Sequence, residues 1–322
     1  MHSSQDKYRQ FAKEAPDLPL FMQDWYLDAV CTGGDWDAAI LERNERIVAV
    51  MPYFLKKKWL GTYVAMPQLC KFMGPYLLPE FRNLDDENKI YEALLTQLPS
   101  DLRAFEQDLN YQVTNWLPFY WSGFRQTTRY SYVLDLTRGE EPLFDNIQKN
   151  YKQKIRSAQG RLQVQHGVQP SELLRLINLS FARQGLRAPL DALFFQRYLS
   201  ALQAHDACRL FFAIDPTNGA IHSASLLAWD NQSAYYVMSG DDPVLRNSGS
   251  ALLLKWEAIR YAANELRLPV FDFEGSMIRA IEIGRRDFGA VQKPYFRVQK
   301  EWSLWWKLGK FLNTEIRKSR IF

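Results

Sequence analysis

The sequence predicts an α+β protein of two domains, built from mixed, mostly antiparallel sheets flanked by helices. Three observations lead there. Residues 209–214, 221–229 and 234–239 are short apolar runs joined by Asp215-Pro216-Thr217-Asn218-Gly219 and Asp230-Asn231-Gln232-Ser233, which have the chemistry of hairpin turns, so an antiparallel meander is expected. A strongly apolar helix over 251–266 then crosses to a further strand at 269–273, and 292–299 forms one more, which puts a switch of strand direction into the sheet. Finally, 322 residues with 47% hydrophobic and 24% charged side chains make a folded chain, long enough for two domains at about 100–200 residues each.

In the first half, residues 38–41 and 47–55 read as two strands around a polar turn at 42–46. Lys71-Phe72-Met73-Gly74-Pro75 marks a loop or sheet edge, and 85–98 a helix with Ile90, Leu94, Leu95 and Leu98 on one face. Short aromatic strands are expected around 111–117. A second unit begins near residue 130 with a strand at 130–136, a helix over 142–158 and a short strand at 162–165. Two helices follow. One spans 171–184, with Ser171 as N-cap and Gly185 as its stop; the other spans 191–204, with Leu193, Phe194, Tyr198 and Leu202 inward. The hairpins at 39–55 and 211–228 look alike, each with a second strand opening on Ile (Ile47, Ile221). Duplication of one folding unit explains this, with chance likeness as the rival. The expected domains are 1–129, 130–300 and a tail at 301–322.

Composition excludes several classes. No apolar run approaches the roughly 18 residues of a membrane span, and the polar stretch 1–16 has no signal core, so a cytoplasmic protein is expected. Cys31, Cys70 and Cys208, and His2, His166, His205 and His222, lack the spacing of a disulfide framework or metal site, so no metal is expected. The net charge of +4 hides an asymmetry: residues 285–322 hold ten Lys/Arg against three acids, and 146–171 holds Lys149, Lys152, Lys154, Arg156 and Arg161 with no acid. Either block could attract an anion or be a solvated basic surface. In the tail, Trp302, Trp305, Leu308, Leu312 and Ile316 recur at helical steps beside Lys307, Lys310, Arg317 and Lys318. Such a helix suits peripheral contact with an anionic membrane through 302–318, or packs on the body.

The chemistry concentrates after the third meander strand. Tyr235-Tyr236-Val237-Met238-Ser239-Gly240 leads to Arg246-Asn247-Ser248-Gly249-Ser250-Ala251 and then a helix. A strand, a glycine-bearing turn and a helix N-terminus aim free N–H groups at one point, where the helix dipole favours an anion, so a pyrophosphate cradle is expected there. Gly249 allows close backbone approach, and Ser248 or Ser250 can cap the helix or bond a phosphate oxygen. Neither a P-loop nor G-x-G-x-x-G occurs.

Arg246-Asn247-Ser248-Gly249-Ser250-Ala251 resembles the Q/R-x-x-G-x-G/A acyl-CoA loop of the GNAT acetyltransferase superfamily. Phe271-Asp272-Phe273-Glu274-Gly275-Ser276 and Gly284-Arg285-Arg286-Asp287-Phe288-Gly289 look like the D-F-x-G-S and F-K-x-x-F-G signatures of its FemAB-like and BioF2-like transferases. Residues 149–158 resemble the basic helix that opens that family's second domain. The resemblance implies tandem GNAT-like domains and acyl transfer, from acetyl-CoA or another acyl-CoA as co-substrate, to an amine of a sugar, peptide or cell-envelope precursor. An aminoacyl-tRNA donor, as in peptidoglycan bridge formation, is the alternative. A non-catalytic module using the basic tail at a membrane or nucleic acid is another.

By position in that resemblance, Met238 and Ser239 supply the backbone donor to the oxyanion, with Met238 and residues Arg246 to Ala251 around the donor cofactor. Glu274 is the candidate general base, with Asp272 second; the competing readings are a cap or salt-bridge partner for Glu274 and a buried loop anchor for Asp272. Lys152, Arg156 and Tyr236 are acceptor-binding candidates, Tyr236 otherwise a packing residue. The sequence departs from the family at Arg285, where a lysine is usual. An arginine clamps phosphate or stabilises an oxyanion but does not shuttle protons.

Overall fold

Asn44 and Glu45 both adopt positive φ, 51° and 63°, the turn geometry that lets two strands reverse with their natural twist. They close the hairpin of β1 (Asp35–Arg43) and β2 (Arg46–Lys58), whose register runs from Asp35↔Leu55 to Arg43↔Arg46. The computed structural model describes residues 3–303 and Trp306. Two compact units divide the chain, one made of residues up to Arg129 with the described residues from Pro294 onward, the other of Tyr130–Lys293.

The first unit opens with α1 (Ser4–Glu14), held by a capping box between Ser3 and Asp6, and α2 (Asp24–Val30). After the hairpin come β3 (Gly61–Ala65), β4 (Tyr76–Leu77), α3 (Leu84–Thr96), β5 (Ala104–Asp108) and α4 (Leu117–Trp121). β3 lies antiparallel to β2 and parallel to β5; β4 pairs with β2. Met51, Tyr53, Ile90, Leu94, Phe105 and Phe119 fill the core. The aromatic strands expected at 111–117 do not form. Residues 111–116 are turn and coil leading into α4, and their aromatics pack from a loop.

β6 (Arg125–Asp135) carries the chain into the second unit. There follow α5 (Glu140–Asp145), α6 (Lys149–Gln159), β7 (Gln163–Gln165), α7 (Pro170–Ala182), α8 (Ala192–Ala204), β8 (Cys208–Ile214), β9 (Ile221–Trp229) and β10 (Ser233–Asp241). α9 (Ser250–Arg260) runs on as a π-turn through Glu265, then β11 (Val270–Asp272), α10 (Arg279–Arg286) and β12 (Val291–Glu301) complete the order. The sheet order in this unit is β6-β11-β10-β9-β8-β7, all antiparallel except the β10–β11 pair.

Three local expectations need correction. The helix expected over 142–158 is two, because the chain breaks at 146–148 and Gln148 donates its N–H to Asp287 O. α7 starts at Pro170 after Gln169, not on Ser171; proline's fixed φ suits the first helical position. Leu193 is 70% exposed, whereas Phe194, Phe195, Tyr198, Leu199 and Leu202 form the buried face of α8. Of the tail helix expected over 302–316, all but Trp302, Ser303 and Trp306 lies outside the described residues. Among the described residues no helix is long and apolar enough to cross a membrane.

The units share one succession: a hairpin, a third antiparallel strand, a helix, and a strand parallel to the third. β1, β2, β3, α3 and β5 make it in the first unit, β8, β9, β10, α9 and β11 in the second. The last parallel strand then takes an antiparallel neighbour, β12 on β5 and β6 on β11.

Candidate active site

β10 and β11 start side by side and then part. They pair from Ser233↔Val270 to Tyr235↔Asp272, where β11 ends; β10 runs on to Asp241 with β9 on its other side. A bulge marks the parting, since Tyr236 faces Leu227 and Met238 faces Leu226, leaving Val237 as the extra residue. Bulges bend a strand and re-aim its groups. Met238 is half-buried and Ser239 exposed on this free stretch.

The loop beyond β10 is shaped by contacts with α6. Arg246–Ser248 form a 3-10 turn and Gly249, at φ +83°, precedes α9. A Cβ on Gly249 would stand 2.9 Å from Lys154 O, so glycine is required here both by its backbone and by the neighbouring helix. Arg161 Nη2 donates to Ser248 O at 3.1 Å, and its Nε to Ser157 O at 3.2 Å, tying loop to helix. Ser250 is fully buried with its Oγ 2.6 Å from Ser223 Oγ, so only its backbone N–H remains for a ligand; that N–H reaches Ser248 Oγ at 3.4 Å. Arg246 and Asn247 are exposed and Ala251 sits in the first turn of α9.

That first turn contains no acid. The corresponding helix of the first unit, α3, has Asp85, Asp86 and Glu87 there and is capped by Asn83. Carboxylates at a helix N-terminus satisfy its dipole and repel an added anion. Of these two corresponding helices, α9 therefore presents the anion-ready start and α3 does not.

On the other lip, Asp272 is fully buried at the end of β11, and its Oδ1 accepts from Ser131 Oγ at 2.5 Å and from Glu274 N at 2.8 Å. This fixes the backbone of Glu274, which holds a φ of +52° and is half-buried. Gly275 passes so close to β6 that a Cβ would meet Tyr130 O at 1.8 Å. Tyr236 is buried beside Ser225 and Ser239, and burial pushes its hydroxyl up to about 12 despite those neighbours.

The basic segment turns different groups to the loop and to α5. The Lys154 main-chain carbonyl and, just past the end of α6, the Arg161 side chain meet the loop, whereas Lys152 Nζ donates to Asp145 O at 2.9 Å and the Arg156 guanidinium lies 5.2 Å over the Phe144 ring, in an open pocket shared with Glu140 and Glu141. Lys152 and Arg156 thus stand against α5, apart from the loop. Arg161 borders the loop without any sequence motif marking it; the only clue to it is its place in the acid-free basic block. Among the described residues no group of His, Cys, Asp and Glu could hold a metal ion.

Residues 146–285 match the family model of the acetyltransferase (GNAT) domain. No curated protein matches the sequence significantly. Among solved structures the chain is similar to FemX, at 14% identity over 92% of this chain and 96% of that one, with a TM-score of 0.68. It is similar to a tandem GNAT protein from the clavulanic acid biosynthesis pathway, at 14% identity over 92% and 93% and a TM-score of 0.55. The C-terminal domain of a putative lysylphosphatidylglycerol synthetase from Agrobacterium fabrum aligns at 14% identity over 92% of each chain, with a TM-score of 0.59. At these identities the likeness is one of fold. Residues 146–285 thus match a GNAT domain model, within a chain whose fold is like that of FemX and of a tandem GNAT protein.

Proposed function

We propose that the second unit transfers an acyl group from acyl-CoA, acetyl-CoA being the simplest, to an amine of a sugar, peptide or cell-envelope precursor. The observation that carries this is the parting of β10 from β11 beside a glycine-preceded, acid-free helix start. In this reading the backbone at the start of α9, with Arg246 and Asn247, receives the donor's pyrophosphate. The thioester lies along the free edge of β10, where the backbone at Met238 and Ser239 donates to its carbonyl oxygen. The acceptor nitrogen attacks the carbonyl carbon, the C–S bond breaks, and the amine proton passes to Glu274 while CoA leaves as thiolate. Arg285 stabilises the developing oxyanion, and Asp272 positions Glu274 through its backbone.

Calorimetric titration of acetyl-CoA into the wild-type chain and into Arg246→Ala/Gly249→Trp tests this. Loss of binding in the variant is expected; equal affinities remove the loop from the site. A second reading, an aminoacyl ester of tRNA as donor, draws on the basic α6 and on Arg161 just past its end, which is tied to the loop. Filter retention of charged tRNA at low salt decides it, since electrostatic binding is strongest there.

A further inference from the structure

In the first unit, β2 and β3 meet in a turn at Trp59 and Leu60, and Trp59 is 90% exposed, the most open of the large apolar side chains among the described residues. A single exposed apolar residue needs no explanation, but this one has company. Lys57 and Lys58 precede it, both exposed, and among the described residues neither is in an ion pair with a carboxylate. The Lys58 amine lies 5.3 Å over the ring of Tyr63 and 5.9 Å over that of Trp306, and those two rings pack at 4.7 Å between centres.

The neighbouring strands bring more of the same chemistry to this end of the sheet. Arg103, just before β5, donates its N–H to Thr62 O at 2.8 Å, and its exposed side chain runs beside the hairpin, with Cγ 2.7 Å from where a Cβ on Gly61 would stand. Trp302, just past β12, donates its N–H to Arg103 O at 3.1 Å; it is 44% exposed, with the Lys300 amine 4.8 Å from its ring. Of the acids close by in sequence, Glu301 is bonded to Arg125 and Asp101 is exposed, so Lys57, Lys58 and Arg103 leave the end positive. Residues 307–322 continue from here, and their sequence carries Lys307, Lys310, Arg317, Lys318 and Arg320 against Glu315 alone. Exposed indole beside unpaired ammonium groups is the chemistry of a bilayer interface, where the ring enters the headgroup layer and the cations meet lipid phosphates.

We propose that the tip of the β2–β3 hairpin docks the chain on an anionic lipid surface, Trp59 entering the headgroup layer while Lys57, Lys58 and Arg103 face its phosphates. Charge and shape favour this occupant. A second copy of the chain would set lysines against lysines, and a nucleic-acid base stacks on an aromatic platform along a basic groove, whereas Trp59 stands at the point of a turn. The inference is independent of the acyl-transfer reading, since every group it uses belongs to the first unit.

The test is co-sedimentation of the full chain with vesicles of phosphatidylcholine alone and of phosphatidylcholine mixed with phosphatidylglycerol. The wild-type chain is expected to bind the mixed vesicles and not the neutral ones, and to be released by added salt. Trp59→Ser should weaken that binding about tenfold, as for one large side chain no longer taken out of water. Lys57→Gln/Lys58→Gln should weaken it about twentyfold, from roughly 1 kcal/mol for each lysine near a charged surface. Both variants change exposed side chains, so their thermal midpoints and acetyl-CoA affinity should match the wild type. No binding to the mixed vesicles, or equal binding to neutral ones, overturns the proposal. Wild-type affinity retained in both variants also overturns it, because residues 307–322 would then act without the hairpin. Retention of single-stranded RNA that falls in the same variants, with no vesicle binding, replaces the lipid surface by a nucleic acid. Loss of acetyl-CoA binding in the wild-type chain removes the acyl-CoA reading and leaves the docking point standing.

Discussion

Gly249 meets two demands at once, a φ of +83° and a neighbouring carbonyl 2.9 Å from where a side chain would begin. Gly249→Ala is expected to cost about 1–3 kcal/mol, the usual range for a strained backbone position, and to weaken acetyl-CoA binding; urea unfolding and calorimetry read the two effects. Lys255 predicts a pH effect of definite sign. Burial holds its folded-state pKa at about 8, below the ordinary lysine value of 10.5, so between those values the unfolded chain holds a proton that the folded chain has released. Stability therefore gains from this residue as pH rises across that window, and the gain is absent in Lys255→Met. Denaturant midpoints of both proteins from pH 7 to pH 10 check it; parallel profiles count against a desolvated amine. The loop was legible because glycine and serine at a helix start carry local chemistry. Lys255 and Arg161 were not, since each acts through an element distant in sequence.

Among the elements, β12 joins β5 through charged contacts as well as through its ladder. Its pairing with β5 runs from Arg297↔Asp108 to Glu301↔Ala104, and Arg297 grips Asp108 with two bonds, Nε to Oδ1 at 2.6 Å and Nη2 to Oδ2 at 2.8 Å. Asp108→Ala is expected to destabilise the first unit by roughly 3 kcal/mol, the lower end for breaking a buried pair, because Arg297 retains Glu106 at 3.3 Å. Chemical denaturation measures this, and Arg297→Ala should cost as much or more, leaving the more deeply buried carboxylate alone. The meander strands were legible from apolar runs between turn residues. The break between α5 and α6 was not, because it depends on the contact from Gln148 to Asp287, far along the chain. Leu193 was misplaced for a related reason: an amphipathic pattern gives a buried face, but packing decides its edges.

At the scale of the whole molecule, the chain leaves the first unit within β6 and re-enters it within β12. The first unit is therefore incomplete without residues from Pro294 onward. A chain ending at residue 293 should leave β5 with an unpaired edge and Asp108 without its arginine, so the first unit should become susceptible to protease before the second; peptide mapping after limited proteolysis shows the order, and equal resistance of both units contradicts it. The two units repeat one succession of strands and helix, yet diverge in charge at the helix that follows the third strand: three acids open α3, none opens α9. The two units keep one topology, whereas local charge leaves the anion-ready helix start to α9 and not to α3.

The sequence by itself determined the α+β class, the meander and the glycine-bearing loop before α9, because hydrophobic period, turn residues and helix-start chemistry act over a few neighbouring residues. Tertiary structure decided which of the named side chains share a site. It turned the Ser250 hydroxyl inward to Ser223, set Lys152 and Arg156 against α5, and used Asp272 to hold Glu274. It also set the Lys255 amine 5.9 Å from the Phe288 ring and the Arg285 guanidinium 5.9 Å over Tyr132. The physical reason is range: backbone preferences are local, whereas desolvation and charge proximity depend on which helices the folded sheet sets beside one another.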